Sequence, residues 1–182
     1  MNQSLSEFLS VEEAQHNLDP KLSRLLVGIS EACKNISNQI RHGALAGVLG
    51  LAGSENVQGE DQKVMDVVSN EIFVRYVQAT GSVCGMVSEE VPDPIAVSDE
   101  YPIGPYVICF DPLDGSSNLD INVSIGSIFS VTPAVRPKRQ PVVEDFLIPG
   151  KEQVLAGYCM YGPQTQLVIT FGRGVKIFTL NP

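Results

Sequence analysis

The sequence predicts an α+β protein, a layered α/β sandwich in which N-terminal helices pack on a mainly antiparallel sheet. Two observations carry this expectation. Apolar residues recur at helical spacing as far as about residue 77, and after Gly81 the chain turns to short β-branched and aromatic runs punctuated by Gly and Pro. A third is size: 182 residues, 43% of them apolar, suffice for one domain with a core of its own.

The elements follow in order. Ser4 and Glu7 have the spacing of a capping box and predict a short first helix. Leu22, Leu25, Leu26, Ile29, Cys33, Ile36 and Ile40 form one helical face, so residues 19–43 read as a second helix. Asp19 is its cap, Pro20 fits its first position, and Gly43 is its stop. Residues 43–59 are Gly-rich and read as a mobile segment. A third helix is expected over 61–77, with Val64, Val68, Ile72 and Tyr76 on one face. Strands are expected over 83–88, 106–110, 124–131, 153–161, 166–171 and 175–180, the last two joined at Gly172-Arg173-Gly174 as a hairpin. Residues 136–151 are Pro-rich and charged and read as an exposed loop.

A net charge of −9 argues against a nucleic-acid partner, whose phosphates call for Lys and Arg. It suits a protein that gathers divalent cations, which then attract an anionic substrate. No apolar run approaches the length of a membrane span, and the first ten residues lack the basic start of a signal peptide. The expectation is therefore a cytoplasmic protein with no membrane partner. Cys33, Cys84, Cys109 and Cys159 are scattered, without C-x-x-C spacing, and read as reduced and mainly buried thiols.

The chemistry concentrates in Asp111-Pro112-Leu113-Asp114-Gly115-Ser116-Ser117-Asn118-Leu119-Asp120, which follows the apolar strand Tyr106 to Phe110. Carboxylates at the exit of a buried strand are costly to desolvate unless a positive charge meets them. No Lys or Arg lies between Arg75 and Arg136, so a metal cation is the expected partner. Glu89 and Glu90 end the preceding strand, Glu60 stands at the start of the third helix, and Asp66 lies inside it. Strands that end in acids at one edge of a sheet bring those acids together. Oxygen ligands without nearby His or Cys select a hard ion, Mg²⁺ or Mn²⁺. Gly115-Ser116-Ser117 can offer backbone N–H groups and two hydroxyls to phosphate oxygens. Each piece alone has a simpler reading: Asp-Gly as a turn, Glu89-Glu90 as a solvated loop, Asp66 as a surface charge. Asp120 is read as hydrogen-bonding the turn in preference to ligating a metal.

The decapeptide resembles the metal-binding signature of the class I fructose-1,6-bisphosphatases, within the inositol monophosphatase-like superfamily of carbohydrate phosphatases. Gly43-Ala44-Leu45-Ala46-Gly47, Asn56-Val57-Gln58-Gly59-Glu60, Met86-Val87-Ser88-Glu89-Glu90, Val123-Ser124-Ile125-Gly126 and Ala156-Gly157-Tyr158 are similar to fructose bisphosphatase sequences as well. The likeness runs from about Leu22 to Pro182. It implies that Glu89, Asp111, Asp114 and the backbone carbonyl of Leu113 hold Mg²⁺, and that Glu60 serves a further, more mobile metal site. It implies that Asp66 and Glu90 orient or deprotonate the attacking water. Asp114, Gly115, Ser116 and Ser117 would cradle the phosphate. The implied reaction is hydrolysis of the 1-phosphate of fructose 1,6-bisphosphate, in gluconeogenesis or carbon fixation, by a homotetramer.

Two departures from the family pattern bear on this. Members are longer, and their second half supplies one more metal-ligating Glu and the residues that grip the sugar. Residues 1–182 are therefore expected to be the N-terminal metal- and phosphate-binding domain, with the sugar-binding domain absent from this chain. The AMP site of many members also lacks its counterparts. Its turn reads Asn17-Leu18-Asp19-Pro20-Lys21, and two positions that are often basic hold Pro105 and Pro133. Proline cannot grip a phosphate by charge-assisted bonds, so AMP binding is expected to be weak or absent. Residues 136–151 carry no Cys, which removes the basis for the thiol regulation of plastid relatives. A sedoheptulose or dual-specificity bisphosphatase is the alternative within the class; a non-catalytic regulatory or assembly module is the alternative outside it.

Overall fold

The computed structural model describes residues 3–46, 50–55, 61–137 and 140–181. Helix α1 spans Leu5–His16, and its capping box forms: the Glu7 N–H donates to Ser4 Oγ at 3.3 Å and the Ser4 N–H to Glu7 Oε2 at 2.8 Å. Helix α2, Pro20–His42, starts at Asp19, whose carboxylate accepts from the Lys21 N–H at 2.9 Å, and ends at Gly43. Its predicted apolar face is its buried face, with Leu25, Leu26, Ile29 and Ile36 fully enclosed.

The segment expected to be mobile contains a 3-10 turn, Gly43–Ala46, and strand β1, Leu51–Glu55. Strand β2, Asp61–Lys63, pairs antiparallel with β1, so the expected third helix gives up its first three residues to a hairpin. Helix α3 then runs Val64–Ala79. Its buried residues are Met65, Asp66, Ser69, Ile72, Phe73 and Val77; of the predicted face only Ile72 is buried, and Val64, Val68 and Tyr76 lie half-exposed. The burial is wider than one stripe because α3 packs against α2 as well as against β3 and β5.

Strands β3 (Val83–Ser88), β4 (Ile95–Ala96), β5 (Tyr106–Asp114), β6 (Ile125–Pro133), β7 (Leu155–Tyr161), β8 (Thr165–Thr170) and β9 (Lys176–Thr179) build one sheet in the order β4-β3-β5-β6-β7-β8-β9. Strand β4 has only two residues, too few to leave a periodicity in sequence. Every pairing is antiparallel except β3 with β5. Helices α2 and α3 cover one face, and Phe73 of α3 stacks on Phe110 of β5 with ring centroids 4.4 Å apart. Phe8 carries α1 onto the far end of the sheet, against Phe171 and Phe178. On the opposite face Ile128, Tyr158 and Met160 alternate outward and line or flank an open groove of about 840 Å³. The loop expected to be exposed, 136–151, partly covers that face: Asp145 is buried, and Pro141 and Phe146 lie over Gly85. The absence of a side chain at Gly85 makes room for them, a relation invisible in local composition.

Candidate metal and phosphate site

The single parallel pairing places the acids. Ser88 stands opposite Phe110, so the next residues, Glu89 and Asp111, stand side by side at the same edge of the sheet. The Glu89 N–H donates to the Phe110 carbonyl at 3.1 Å and fixes that register. Glu90 follows, its N–H held by Ser88 Oγ at 3.2 Å, with 9% of its surface exposed rather than solvated. Carboxylate oxygens of Glu89, Glu90 and Asp111 come within 4.8 Å of one another.

Beyond Asp111 the strand continues four residues past its predicted end, but with a bulge. Asp111 faces Ile128 and Asp114 faces Gly126, so two residues of β5 oppose Ser127 alone. Ser127 is fully buried; its hydroxyl donates to the Pro112 carbonyl at 2.7 Å and lies 2.7 Å from the Tyr161 hydroxyl. The Leu113 N–H turns back to Asp111 Oδ1 at 2.9 Å. Asp114 emerges exposed, outside the tight trio, yet close enough for its charge to act on Asp111. Gly115 has φ +77°, a left-handed conformation that L side chains rarely adopt. It leads into the 3-10 turn Ser116–Ile121, which presents Ser117 to solvent and Ser116 half-buried.

The electrostatics are those of crowded acids. Burial, a hydrogen bond that the protonated Asp111 carboxyl donates to Glu89, and the Glu89 and Asp114 charges raise the Asp111 carboxyl to about 8, against an ordinary value of 3.8. Asp66, only 4% exposed, is also pushed up, first by burial and slightly by the Glu89 charge. The Lys63 N–H at 2.7 Å, the neighbouring Ser116 hydroxyl and the Lys63 charge partly offset this. Asp66 Oδ1 is buried without a hydrogen bond. A set of oxygen donors that force a proton onto one of their number fits a hard divalent cation.

The expected residues therefore separate. Glu89, Glu90 and Asp111 converge; Asp66 approaches them from α3; Asp114, Gly115, Ser116 and Ser117 follow on the adjoining turn. Glu60 lies outside the described residues. Asp120 corrects the reading of it as a turn-bonding residue: its carboxylate accepts from Lys63 Nζ at 2.5 Å. A positive charge does reach the decapeptide, brought by Lys63 at the end of β2, although the sequence flanking the decapeptide holds none. Sequence reasoning missed Lys63, Ser127 and Tyr161. Lys63, three residues before Asp66 at a helix start, left a local signal; Ser127 and Tyr161 left none.

Fold and site together define a class, a helix-on-sheet protein whose oxygen-donor cluster is suited to a hard cation beside a Gly-Ser-Ser turn. Residues 3–182 match the family described as fructose-1-6-bisphosphatase, N-terminal domain. The chain is 48% identical over 180 residues to "fructose-1,6-bisphosphatase class 1 3" of Methylibium petroleiphilum, covering 98% of this chain and 50% of that protein. Among solved structures it is similar to Leishmania major fructose-1,6-bisphosphatase. The holo form gives a TM-score of 0.89 at 36% identity, covering all of this chain and 56% of that one. The apo form gives 0.80 at 34%, covering 54% of its chain. The chain belongs to the fructose-1,6-bisphosphatase family, and it spans about half the length of the relatives it matches.

Proposed function

We propose that residues 1–182 are the metal- and phosphate-binding domain of an enzyme that hydrolyses the 1-phosphate of fructose 1,6-bisphosphate in a Mg²⁺-dependent reaction. The observation that carries this reading is the convergence of Glu89, Glu90 and Asp111 beside the Gly115 turn. Glu89, Asp111, Asp114 and the Leu113 carbonyl would hold Mg²⁺ or Mn²⁺, with Glu60 serving a further ion. Such an ion, when bound, supplies positive charge that offsets phosphate charge and lowers the pKa of water.

The chain's own groups divide the remaining work. Gly115, Ser116 and Ser117 offer N–H and hydroxyl donors to phosphate oxygens, and the bulge at Pro112-Leu113 brings the strand to Asp114 directly before that turn. Asp66 and Glu90 are the groups that orient the attacking water and take its proton. Burial favours that role for Asp66, because a base poised nearer neutral pH is more effective than an ordinary carboxylate. The names of the relatives favour fructose 1,6-bisphosphate over a seven-carbon sugar and over a non-catalytic module. A cytoplasmic homotetramer completes the reading.

AMP is not a strong ligand in this proposal. Pro133 stands opposite Tyr106, next to Pro105, and the Tyr106 hydroxyl is committed to the Asp19 carboxylate at 2.7 Å. Two of the cations that would grip a nucleotide phosphate are thus replaced by prolines, and the tyrosine beside them is engaged by an acid. The central test is phosphate release from fructose 1,6-bisphosphate by the protein expressed from its whole reading frame. Asp114→Ala should reduce the Mg²⁺-dependent rate at least ~100-fold; a variant with full activity would overturn the site assignment.

A further inference from the structure

We propose that Lys63 is a positioning residue, which registers the Asp66 helix against the Ser116–Ile121 turn through its ion pair with Asp120. The inference rests on the reading of that turn as a phosphate cradle and goes beyond it in assigning what holds the turn in place.

Lys63 occupies a locally unfavourable position. It is the N-cap of α3, where the positive end of the helix disfavours a cation, and its side chain makes no capping bond. It is also 8% exposed, and an ammonium taken out of water is costly unless paired. Both costs are offset at this one residue. Its Nζ donates to Asp120 Oδ2 at 2.5 Å, 57 residues away in sequence, and its backbone N–H donates to Asp66 Oδ2 at 2.7 Å. The next N–H, of Val64, donates to the Gly50 carbonyl at 3.0 Å. Three elements thus meet at Lys63: the β1–β2 hairpin it terminates, the helix that carries Asp66, and the turn that carries Ser116 and Ser117.

The geometry explains why one end of the turn would not suffice. Ser116, at its start, stands beside Asp66; Asp120, near its end, is clamped by the Lys63 ammonium. Lys63 grips the Asp66 carboxylate and Asp120 at once, so helix and turn are held at a fixed spacing. A residue placed against local helix preference and compensated by one distant partner marks a site where stability is given up for geometry. An ion pair between two exposed residues would contribute little. Here the lysine side chain is 11% exposed, so removal of Asp120 leaves a desolvated charge without its partner.

The test uses the whole-reading-frame protein and its Lys63→Met, Lys63→Arg, Asp120→Asn and Lys63→Met/Asp120→Asn variants. Inorganic phosphate affinity at saturating Mn²⁺ is measured by calorimetry, Mn²⁺ affinity by electron paramagnetic resonance, and melting temperature in parallel. Lys63→Met and Asp120→Asn should each weaken phosphate binding about tenfold, the double variant no more than the worse single one, and Lys63→Arg should restore most of the loss. Mn²⁺ affinity should hold, because Glu89 follows β3 and Asp111, Leu113 and Asp114 belong to β5, outside the clamped turn. Asp120 is half-exposed, so Asp120→Asn keeps the test decisive if Lys63→Met fails to fold. Unchanged phosphate affinity with a lowered melting temperature would reduce Lys63 to a structural clamp and overturn the proposal. Additive losses, or a parallel loss of Mn²⁺, would overturn it too. A wild-type protein that binds Mn²⁺ but no phosphate would instead sink the cradle reading and this proposal with it.

Discussion

At the scale of single residues, Asp111 governs how the site responds to pH. Its pKa of about 8 in the folded chain lies well above its ordinary value of 3.8, so the folded state holds this proton more tightly than the unfolded state does. The stability that the proton confers is complete below about pH 4 and is lost as pH rises through about 8. Thermal melts in EDTA should therefore show stability falling across that window, and Mg²⁺ should flatten the trend by substituting for the proton. A melting temperature that rises with pH in EDTA would contradict the shared-proton picture. At neutral pH, binding of Mg²⁺ should release a proton, detectable as a dependence of calorimetric heats on buffer ionisation enthalpy. The reach of sequence reasoning is also clearest at this scale. That Glu89, Glu90 and Asp111 come together was legible because they end two neighbouring apolar runs. The partner of Asp120 was not, since Lys63 is remote in sequence and only the packing of α3 brings it near.

At the scale of elements, the acid edge depends on how α3 seats against β3 and β5. Phe73, fully buried, stacks on Phe110 immediately before Asp111, so the ring contact fixes the floor under the acids. Phe73→Ala should cost about 3–5 kcal/mol of stability, read as a lower urea midpoint with an unchanged slope. A cost below about 1 kcal/mol would show that α3 docks without it. The family-like Ala156-Gly157-Tyr158 has a packing explanation rather than a chemical one. A Cβ at Gly157 would lie 2.5 Å from the Val168 carbonyl and 2.8 Å from Phe129 Cζ. Gly157→Val should accordingly destabilise the sheet while leaving the acids' arrangement as its last casualty, checked by comparing melting temperature with Mn²⁺ affinity. Helix α2 and the long strands were readable because their periodicities run over many residues. Strands β1 and β2 were not, because three to five residues in a Gly-rich segment carry no periodicity, and their identity lies in pairing with each other.

At the scale of the whole molecule, one sheet face is covered by helices, while the other leaves a groove that reaches Glu89 and Asp111. At Asp19, Tyr106 and Pro133 the Tyr106 hydroxyl is held by the Asp19 carboxylate, and two positions that are often basic in the family hold Pro105 and Pro133. AMP titrated against the protein expressed from its whole reading frame should therefore leave the proposed phosphate release unchanged through the micromolar range; half-inhibition there would refute the reading. The sequence by itself determined the three helices, the long strands after them, the α+β class and the decapeptide with its family resemblance, because these depend on residues near one another along the chain. The tertiary structure alone decided that β3 and β5 run parallel, which sets Glu89 beside Asp111. It alone placed a bulge opposite Ser127, and a lysine from another element against Asp120. Those features arise from strand pairing and side-chain packing between distant segments, and such contacts leave no periodic trace in a single sequence.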